Sequence, residues 1–400
     1  MNKAYNFRLY PNKEQEELFA KTFGCVRFIY NRMLAERKGI YELYKDNKEQ
    51  LKLQKLPTPA KYKVEFEWLK EVDSLALANA QMNLQTAYNN FFRDKNIGFP
   101  KFKSKHKDRN SYTTNNQGGT IRIENKKIKL PKIGWVKIVQ HRQIPETQSI
   151  KSCTISKTPS GKYYISILVE YEQYIKPIIP KKDNVLGLDM DMKHLYTDSQ
   201  SIKAEYPRFY RRTLEKLQRE QRKLSIMQKG SKNRNKQRIK IARLHEKIAN
   251  CRKDFLHKQS RALVNNFDVI VVEDLNMKAM CQCLNLGKSV ADNGWGMFTT
   301  MLNYKLESEG KYLVKIDKWF PSSKKCNDCG EINHELQLSD REWICKSCGS
   351  VIDRDYNAAK NIRDEGIRLL ANNIVNRRNY GDSLLTLSPL GLLSRKPTPL

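Results

Sequence analysis

Two short stretches of this 400-residue chain hold no polar side chain until their last residue: Val185-Leu186-Gly187-Leu188-Asp189 and Val269-Ile270-Val271-Val272-Glu273. A strand that is apolar along its whole length is buried on both faces, as in an α/β sheet covered by helices on each side. Tyr312-Leu313-Val314-Lys315-Ile316 reads as another strand of the same sheet. Both buried strands end in an acid. A third acidic motif, Asp353-Arg354-Asp355-Tyr356-Asn357-Ala358-Ala359, leads into a helix. Carboxylates from three separate elements can converge where strands of such a sheet end. Two divalent ions about 4 Å apart then clamp the attacking and leaving oxygens of a phosphodiester. Magnesium takes carboxylate and water oxygens, so no histidine is required. One acid alone in so basic a chain is best read as the ion-pair partner of a lysine or arginine. Three in this order, two of them on buried strands, are not.

The charge balance names the partner. Lys plus Arg is 74 against 43 Asp plus Glu, a net charge of +31. Such a chain repels itself and favours a polyanion, above all nucleic acid. The hydrophobic fraction of 39% excludes a wholly disordered basic tail. No run of 18 apolar residues marks a membrane span, and Met1-Asn2-Lys3-Ala4-Tyr5 lacks the apolar core of a signal peptide, so a cytosolic location is expected. The excess is concentrated in residues 201–260, with 19 Lys/Arg against 5 Asp/Glu. Two helices are expected there. Leu214, Leu217 and Leu224 lie inside the first; Ile241, Leu244, Ile248, Cys251 and Phe255 line the second. A solvated face usually mixes both signs of charge, so this hairpin reads as a nucleic-acid surface.

The N-terminal half has a different texture. Tyr5 to Leu9 is a strand, and Asn12 with Gln15 forms a capping box for a helix to about Tyr44. A second helix spans Ser74 to Phe92. Its polar side carries Asn79, Gln81, Asn83, Gln85 and Asn89, which fits either base-edge reading or an ordinary solvated face. Lysines interleave with aromatics through Phe99-Pro100-Lys101-Phe102-Lys103, a mixture suited to phosphate contact with stacking, or to a basic loop over two core aromatics. Alternating strands follow from about Thr120 to Tyr174 and imply a small antiparallel barrel or sandwich. The Pro-rich and Lys-rich segment Ile175 to Asn184 marks the domain boundary.

Four of the nine cysteines form Cys326-x2-Cys329-x15-Cys345-x2-Cys348. Two such knuckles supply four thiolates for one closed tetrahedral zinc site, structural because no position is left for substrate. The other cysteines, including Cys281 and Cys283, read as small core residues.

At these motifs the chain resembles the TnpB family, the small RNA-guided nucleases of insertion sequences. Phe7-Arg8-Leu9-Tyr10-Pro11 and Phe23-Gly24-Cys25-Val26-Arg27-Phe28-Ile29-Tyr30-Asn31 are similar to the family's N-terminal motif, and Phe99 to Lys103 to its central signature. Gly187-Leu188-Asp189, Val272-Glu273-Asp274-Leu275-Asn276 and the Asp353 to Ala359 segment resemble its three RuvC-like motifs; Phe320-Pro321-Ser322-Ser323-Lys324 is similar too. The resemblance implies an α/β plus β architecture. A β-barrel wedge (about 1–10 and 118–183) with a helical recognition insert (about 11–117) would precede an RNase-H-like, RuvC-type core at 184–370. That core would contain the basic hairpin (about 205–262) and an inserted zinc ribbon (about 319–352). A flexible tail, 371–400, would end the chain.

The resemblance further implies an RNA-guided, Mg2+-dependent DNA endonuclease of a prokaryotic cytoplasm, associated with the nucleoid. Asp189, Glu273 and Asp355 would be the catalytic acids and hold two Mg2+ ions, with Mn2+ as the alternative; the family's third acid matches Asp355, not Asp353. The guide RNA would come from the transposon's right end, and the double-stranded target would carry a short transposon-adjacent motif. Nucleic-acid contacts are expected at Asn79, Asn83, Lys101, Lys103, Thr113, Asn115, Arg211 and Arg212. Two departures stand out. Asp191 replaces the family's usual Gly, adding like charge beside the metals, and the turn after this strand reads Asp198-Ser199-Gln200. The competing readings are a guided repressor without cleavage, an unguided transposase, and a zinc-ribbon binding module with a decayed core.

Overall fold

The computed structural model describes residues 2–94, 96–191, 193–275, 292–337 and 339–379. The chain divides after Gln173 into two units.

The first unit is built on a seven-stranded antiparallel sheet. Its strands are β1 (Asn2–Tyr10), β2 (Asn110–Asn115), β3 (Arg122–Glu124), β4 (Lys127–Leu130), β5 (Gly134–Val139), β6 (Ser149–Lys157) and β7 (Tyr163–Glu170). They run in the order β2-β6-β7-β1-β5-β4-β3. Alternation sets the register: Tyr5, Phe7 and Leu9 of β1 point into the core, as do Ile165, Ile167 and Val169 of β7. Helix α1 (Lys13–Tyr44) closes that core with Phe19, Phe23, Val26, Ile29 and Met33, and the Asn12–Gln15 capping box is formed. Two short helices, α2 (Lys48–Leu53) and α3 (Pro59–Glu65), follow. Pro59 opens α3 because its missing N–H costs nothing at a first helical position. Helix α4 (Ser74–Arg93) is capped by Asp73 and buries Ala76, Leu77, Ala80 and Leu84.

The second unit holds a five-stranded mixed sheet: β8 (Val185–Asp189), β9 (His194–Asp198), β10 (Lys203–Glu205), β11 (Val269–Glu273) and β12 (Tyr312–Ile316), ordered β10-β9-β8-β11-β12. Strands β8, β11 and β12 are parallel; β9 and β10 are antiparallel additions. Helices α5 (Phe209–Ile226) and α6 (Lys232–Asn266) form the basic hairpin, and α7 (Trp295–Glu307) precedes β12. A small hairpin, β13 (Glu342–Ile344) and β14 (Val351–Asp353), leads into α8 (Arg354–Asn379).

The two faces of β8 and β11 explain their apolar sequences. Leu186, Leu188, Ile270 and Val272 pack against Leu256, Leu263 and Val264 of α6 and Phe298 and Leu302 of α7. Val185, Val269 and Val271 cluster on the other face with Ile362 of α8. Each such side chain contributes about 1.5–3 kcal/mol when fully buried. Helix α8 continues through Asn379, so the first part of the segment 371–400 expected to be a flexible tail is helical, extending a helix whose Ile367, Leu369 and Leu370 pack on the core. The rest of that tail lies outside the described residues, as do Asn276, Cys281 and Cys283.

Candidate active site

Parallel pairing brings the first two acids side by side. Leu188 pairs with Val272, so Asp189 and Glu273 are the next residues at the same sheet end. The third acid arrives on α8, and two glycines let that helix approach. A Cβ on Gly187 would stand 2.2 Å from the Ala359 carbonyl oxygen and 2.6 Å from the Arg363 nitrogen. A Cβ on Gly366 would stand 2.4 Å from a Val271 methyl. Only bare backbone fits where α8 crosses β8.

Asp353 and Asp355 then separate by role. Asp353 accepts from the Tyr356 N–H (2.9 Å), which makes it the cap of α8, and it also pairs with Lys203 at 3.1 Å. Burial pushes its carboxyl up, but these bonds outweigh burial and hold it below the usual range. Asp355 lies in the first turn of α8, near the positive end of the helix dipole, with Arg341 at 3.3 Å.

The charge at the centre is unbalanced. Burial comes first, then the negative charges of Glu273, Asp355 and Asp191; together they hold the Asp189 carboxyl well above its ordinary range, with Arg354 in opposition. Burial also raises Glu273, while the Ser322 hydroxyl, donating to its Oε1 at 2.5 Å, lowers it. Such a set of oxygen donors fits a hard divalent cation, whose charge would relieve the repulsion. Asp191 adds to the load on Asp189, as the sequence leads one to expect, yet is itself satisfied. Burial raises its carboxyl, and bonds from the Lys193 N–H (3.1 Å) and His194 Nδ1 (2.7 Å) more than reverse that. The altered turn is closed too: Asp198 accepts from the N–H groups of Gln200 and Ile202, and the Ser199 hydroxyl accepts from Gly187. Asp191, His194, Lys203, Arg341, Asp353 and Asp355 line a cavity of about 240 Å3 beside the acids. A larger hollow of about 390 Å3, bordered by Cys25 and Trp68, offers only Lys21 and Glu71, which pair with each other at 2.7 Å.

The four cysteines converge. Their Sγ atoms lie within 4.8 Å of one another, with Cys326–Cys348 at 3.8 Å and Cys329–Cys345 at 3.5 Å. Sulfurs on a tetrahedron 2.3 Å from zinc stand about 3.8 Å apart, close to the two separations above, so the cluster can hold a metal ion. The first knuckle is stitched to α8. Asn357 donates to the Lys325 carbonyl (2.7 Å) and accepts from the Asn327 N–H (2.9 Å). Asn361 donates to the Ser322 and Lys325 carbonyls at 2.8 and 2.6 Å. Arg341 and Asn361 had no marker in the sequence, and although Ser322 lies in the Phe320 to Lys324 segment, nothing there tied it to Glu273.

The expected nucleic-acid contacts fall into two groups. Asn83, Lys101, Arg211 and Arg212 are exposed. Asn79, Lys103, Thr113 and Asn115 make contacts within the fold. The Asn79 amide donates to the Leu75 carbonyl (2.8 Å) and meets Asn115 at 3.5 Å; Thr113 and Thr154 share a hydrogen bond of 2.8 Å. Lys103 is held at its backbone by Asn31, and its ammonium sits 3.9 Å from the Tyr30 ring centre. In the basic hairpin, a buried Glu220 interrupts the apolar seam; it accepts from Gln237 (2.7 Å) and pairs with Lys240 (2.9 Å).

Residues 166–284 match a protein family described as "Probable transposase", and 295–362 match one described as "Cas12f1-like, TNB domain". A family described as a helix-turn-helix domain matches 1–46, where the structure has β1 followed by the unbroken helix α1. The chain is 36% identical to the "Putative RNA-guided DNA endonuclease" of Streptomyces pristinaespiralis, over 92% of this chain and 90% of that protein. It is 33% identical to the protein of the same description called InsQ from Escherichia coli (strain K12), over 92% and 93%. Its fold is similar to a chain in the cryo-EM structure of a Cas12f1–sgRNA–target DNA complex, with a TM-score of 0.58, 13% identity, and coverage of 91% of this chain and 98% of that one.

Proposed function

The chain belongs to the TnpB family of RNA-guided DNA endonucleases, and from that premise we propose that it cuts DNA where a bound guide RNA pairs with the target, using Asp189, Glu273 and Asp355. The observation that carries the assignment of residues is the load on Asp189: three acids from β8, β11 and α8 share one sheet end, and their mutual repulsion favours a bound cation. Two Mg2+ ions, when bound, would supply the positive charge that stabilises the attacking and leaving oxygens of the phosphodiester. Asp189 and Asp355 would hold them, with Glu273 completing the set. Ser322 orients Glu273 through its hydrogen bond. Asp353 fixes the start of α8, so Asp355 presents its carboxylate from a rigid first turn.

Within this reading the five-stranded sheet and its helices are a RuvC-type core. The first unit is the wedge with its helical insert, reading the adjacent motif, and the thiolate cluster is a zinc ribbon. Base pairing to the guide supplies sequence specificity, as in other guided nucleases. The net charge of +31 suits a guide RNA and its DNA target. Among the described residues no helix is long and apolar enough to cross a membrane.

The test is to co-express the chain with its flanking transposon-end DNA and sequence any RNA that co-purifies. The complex is then challenged with a plasmid library carrying a matched target, a randomised flank and Mg2+. A discrete RNA and depletion of one flank motif are expected. RNA without cutting would favour the guided repressor; cutting without RNA would return the case to a transposase.

A further inference from the structure

Among the tryptophans, Trp295 and Trp343 are buried, Trp68 and Trp135 are 43% and 36% exposed, and Trp319 is 81% exposed. A lone aromatic on a loose loop would say little. The turn that carries Trp319 is pinned at every step. Its own N–H donates to Asp317 Oδ1 (2.7 Å), the Phe320 N–H to the Asp317 carbonyl (3.1 Å), and the Ser322 N–H to the Phe320 carbonyl (2.7 Å). Phe320 packs on the core of Val185, Val271 and Ile362, and Asn361 holds the Ser322 carbonyl. The next residue's ring is therefore inside, while the indole is held out in water by a fixed backbone. Lys318 places its ammonium 5.0 Å from the indole centre, covering one face.

This turn borders the acids on two sides. Ile316, at the end of β12, pairs with Glu273, and Ser322 donates to the Glu273 carboxylate. Trp319 is three residues from each, and three residues of chain reach at most about 11 Å. Glu273 lies one strand spacing beyond Ile316, about 5 Å, so the Trp319 backbone stands within about 16 Å of it, about five nucleotides at the roughly 3.4 Å rise of a stacked strand. Resting on the guided-nuclease reading, we propose that Trp319 is a stacking platform for an unpaired base of the DNA strand being cut, within about five nucleotides of the scissile phosphate. Lys318 backs one face of the ring and leaves the other for the base. A base within a duplex has no free face to offer, so the platform selects a strand already opened by the guide. Stacking is indifferent to base identity, which suits an enzyme whose sequence choice lies in its guide.

The test uses the guide-loaded full chain carrying Asp189→Ala, so that target is bound and not cut. 2-Aminopurine is placed singly along the target through the cleavage position. Quenching is expected at one or two adjacent positions, abolished by Trp319→Ala and retained by Trp319→Phe, with target affinity unchanged. In the chain with Asp189 intact, Trp319→Ala should slow cutting about tenfold at unchanged guide-RNA content, with Trp319→Phe restoring most of it. Equal quenching with and without the indole would overturn the proposal. So would a Trp319-dependent signal only from 2-aminopurine in the guide, which would assign the ring to RNA. Failure of the parent complex to bind target at all would bring down the guided-nuclease reading itself, and the platform with it.

Discussion

The second unit carries a cluster of thiols and a cluster of acids, and they are built on opposite principles. The cysteines are four soft ligands on two tight turns, close enough to saturate one ion. The acids are spread over β8, β11 and α8, their charges bear on Asp189, and Asp355 borders a cavity. A saturated site can only hold the chain together; an unsaturated one leaves room for a phosphodiester. Yet the two are mechanically joined. Asn357 and Asn361 tie the first knuckle to the helix that presents Asp355, and Ser322 ties the preceding turn to Glu273. The closed cluster thus helps to set the geometry of the open one.

That contrast can be broken by experiment, starting where the effect is largest. Asp189→Ala should abolish cutting while guide-RNA content and melting temperature hold, measured by plasmid cleavage and bound-RNA quantification; loss of RNA along with cutting would deny the acids a purely catalytic role. Cys345→Ser should remove the thiolate-held metal, lower thermal stability and lose cutting together, whereas withdrawing Mg2+ alone should stop cutting reversibly at unchanged stability. If the cysteine variant still cuts at full rate, the two clusters are not coupled. Gly187→Val should drive α8 off β8, at a cost of about 1–3 kcal/mol or more, and impair cutting while the cysteine cluster keeps its metal by elemental analysis. Ser322→Ala should slow cutting about tenfold with the fold intact, since a hydrogen bond to a charged group is worth about 1.5–3 kcal/mol; an unchanged rate would show that Glu273 needs no such support.

The smallest effect lies away from both clusters and serves as a control. Hydrogen bonds from Gln237 and Lys240 depress the Glu220 carboxyl from 4.5 to about 2. A depressed folded value means that its contribution is present above about pH 4.5 and is lost as pH falls towards 2. Glu220→Gln should flatten the acid limb of the stability curve over that window without altering cutting at neutral pH.

The strands that carry the site were legible because burial on two faces leaves a plain mark: apolar residues at every position and an acid where the strand ends. The cysteine spacing was legible for a similar reason, since tight turns and ligand geometry act over a few residues. What the sequence hid is the connecting layer. Ser322 reaches Glu273 across 49 positions, and a lone serine carries no periodic signal. Gly187 looked like part of a motif; its reason is the carbonyl of Ala359, far along the chain. The choice between Asp353 and Asp355 rests on resemblance; the structure separates the two by position, one capping the helix and the other standing inside its first turn. Lys103 lies in a stretch that fits either phosphate contact with stacking or a basic loop over core aromatics, and its ammonium rests on Tyr30 within the fold.

The order of the acids along the chain has a consequence for how the protein is made. A ribosome delivers Asp189 first, Glu273 later and Asp355 after both knuckles, and domains emerge and fold from the N-terminal side. If the three acids cut as proposed, the first unit and the basic hairpin are complete while the centre still lacks its third carboxylate. Translation products that stop short of α8 would then be inert as nucleases, and interrupted synthesis would yield no unguided scissor.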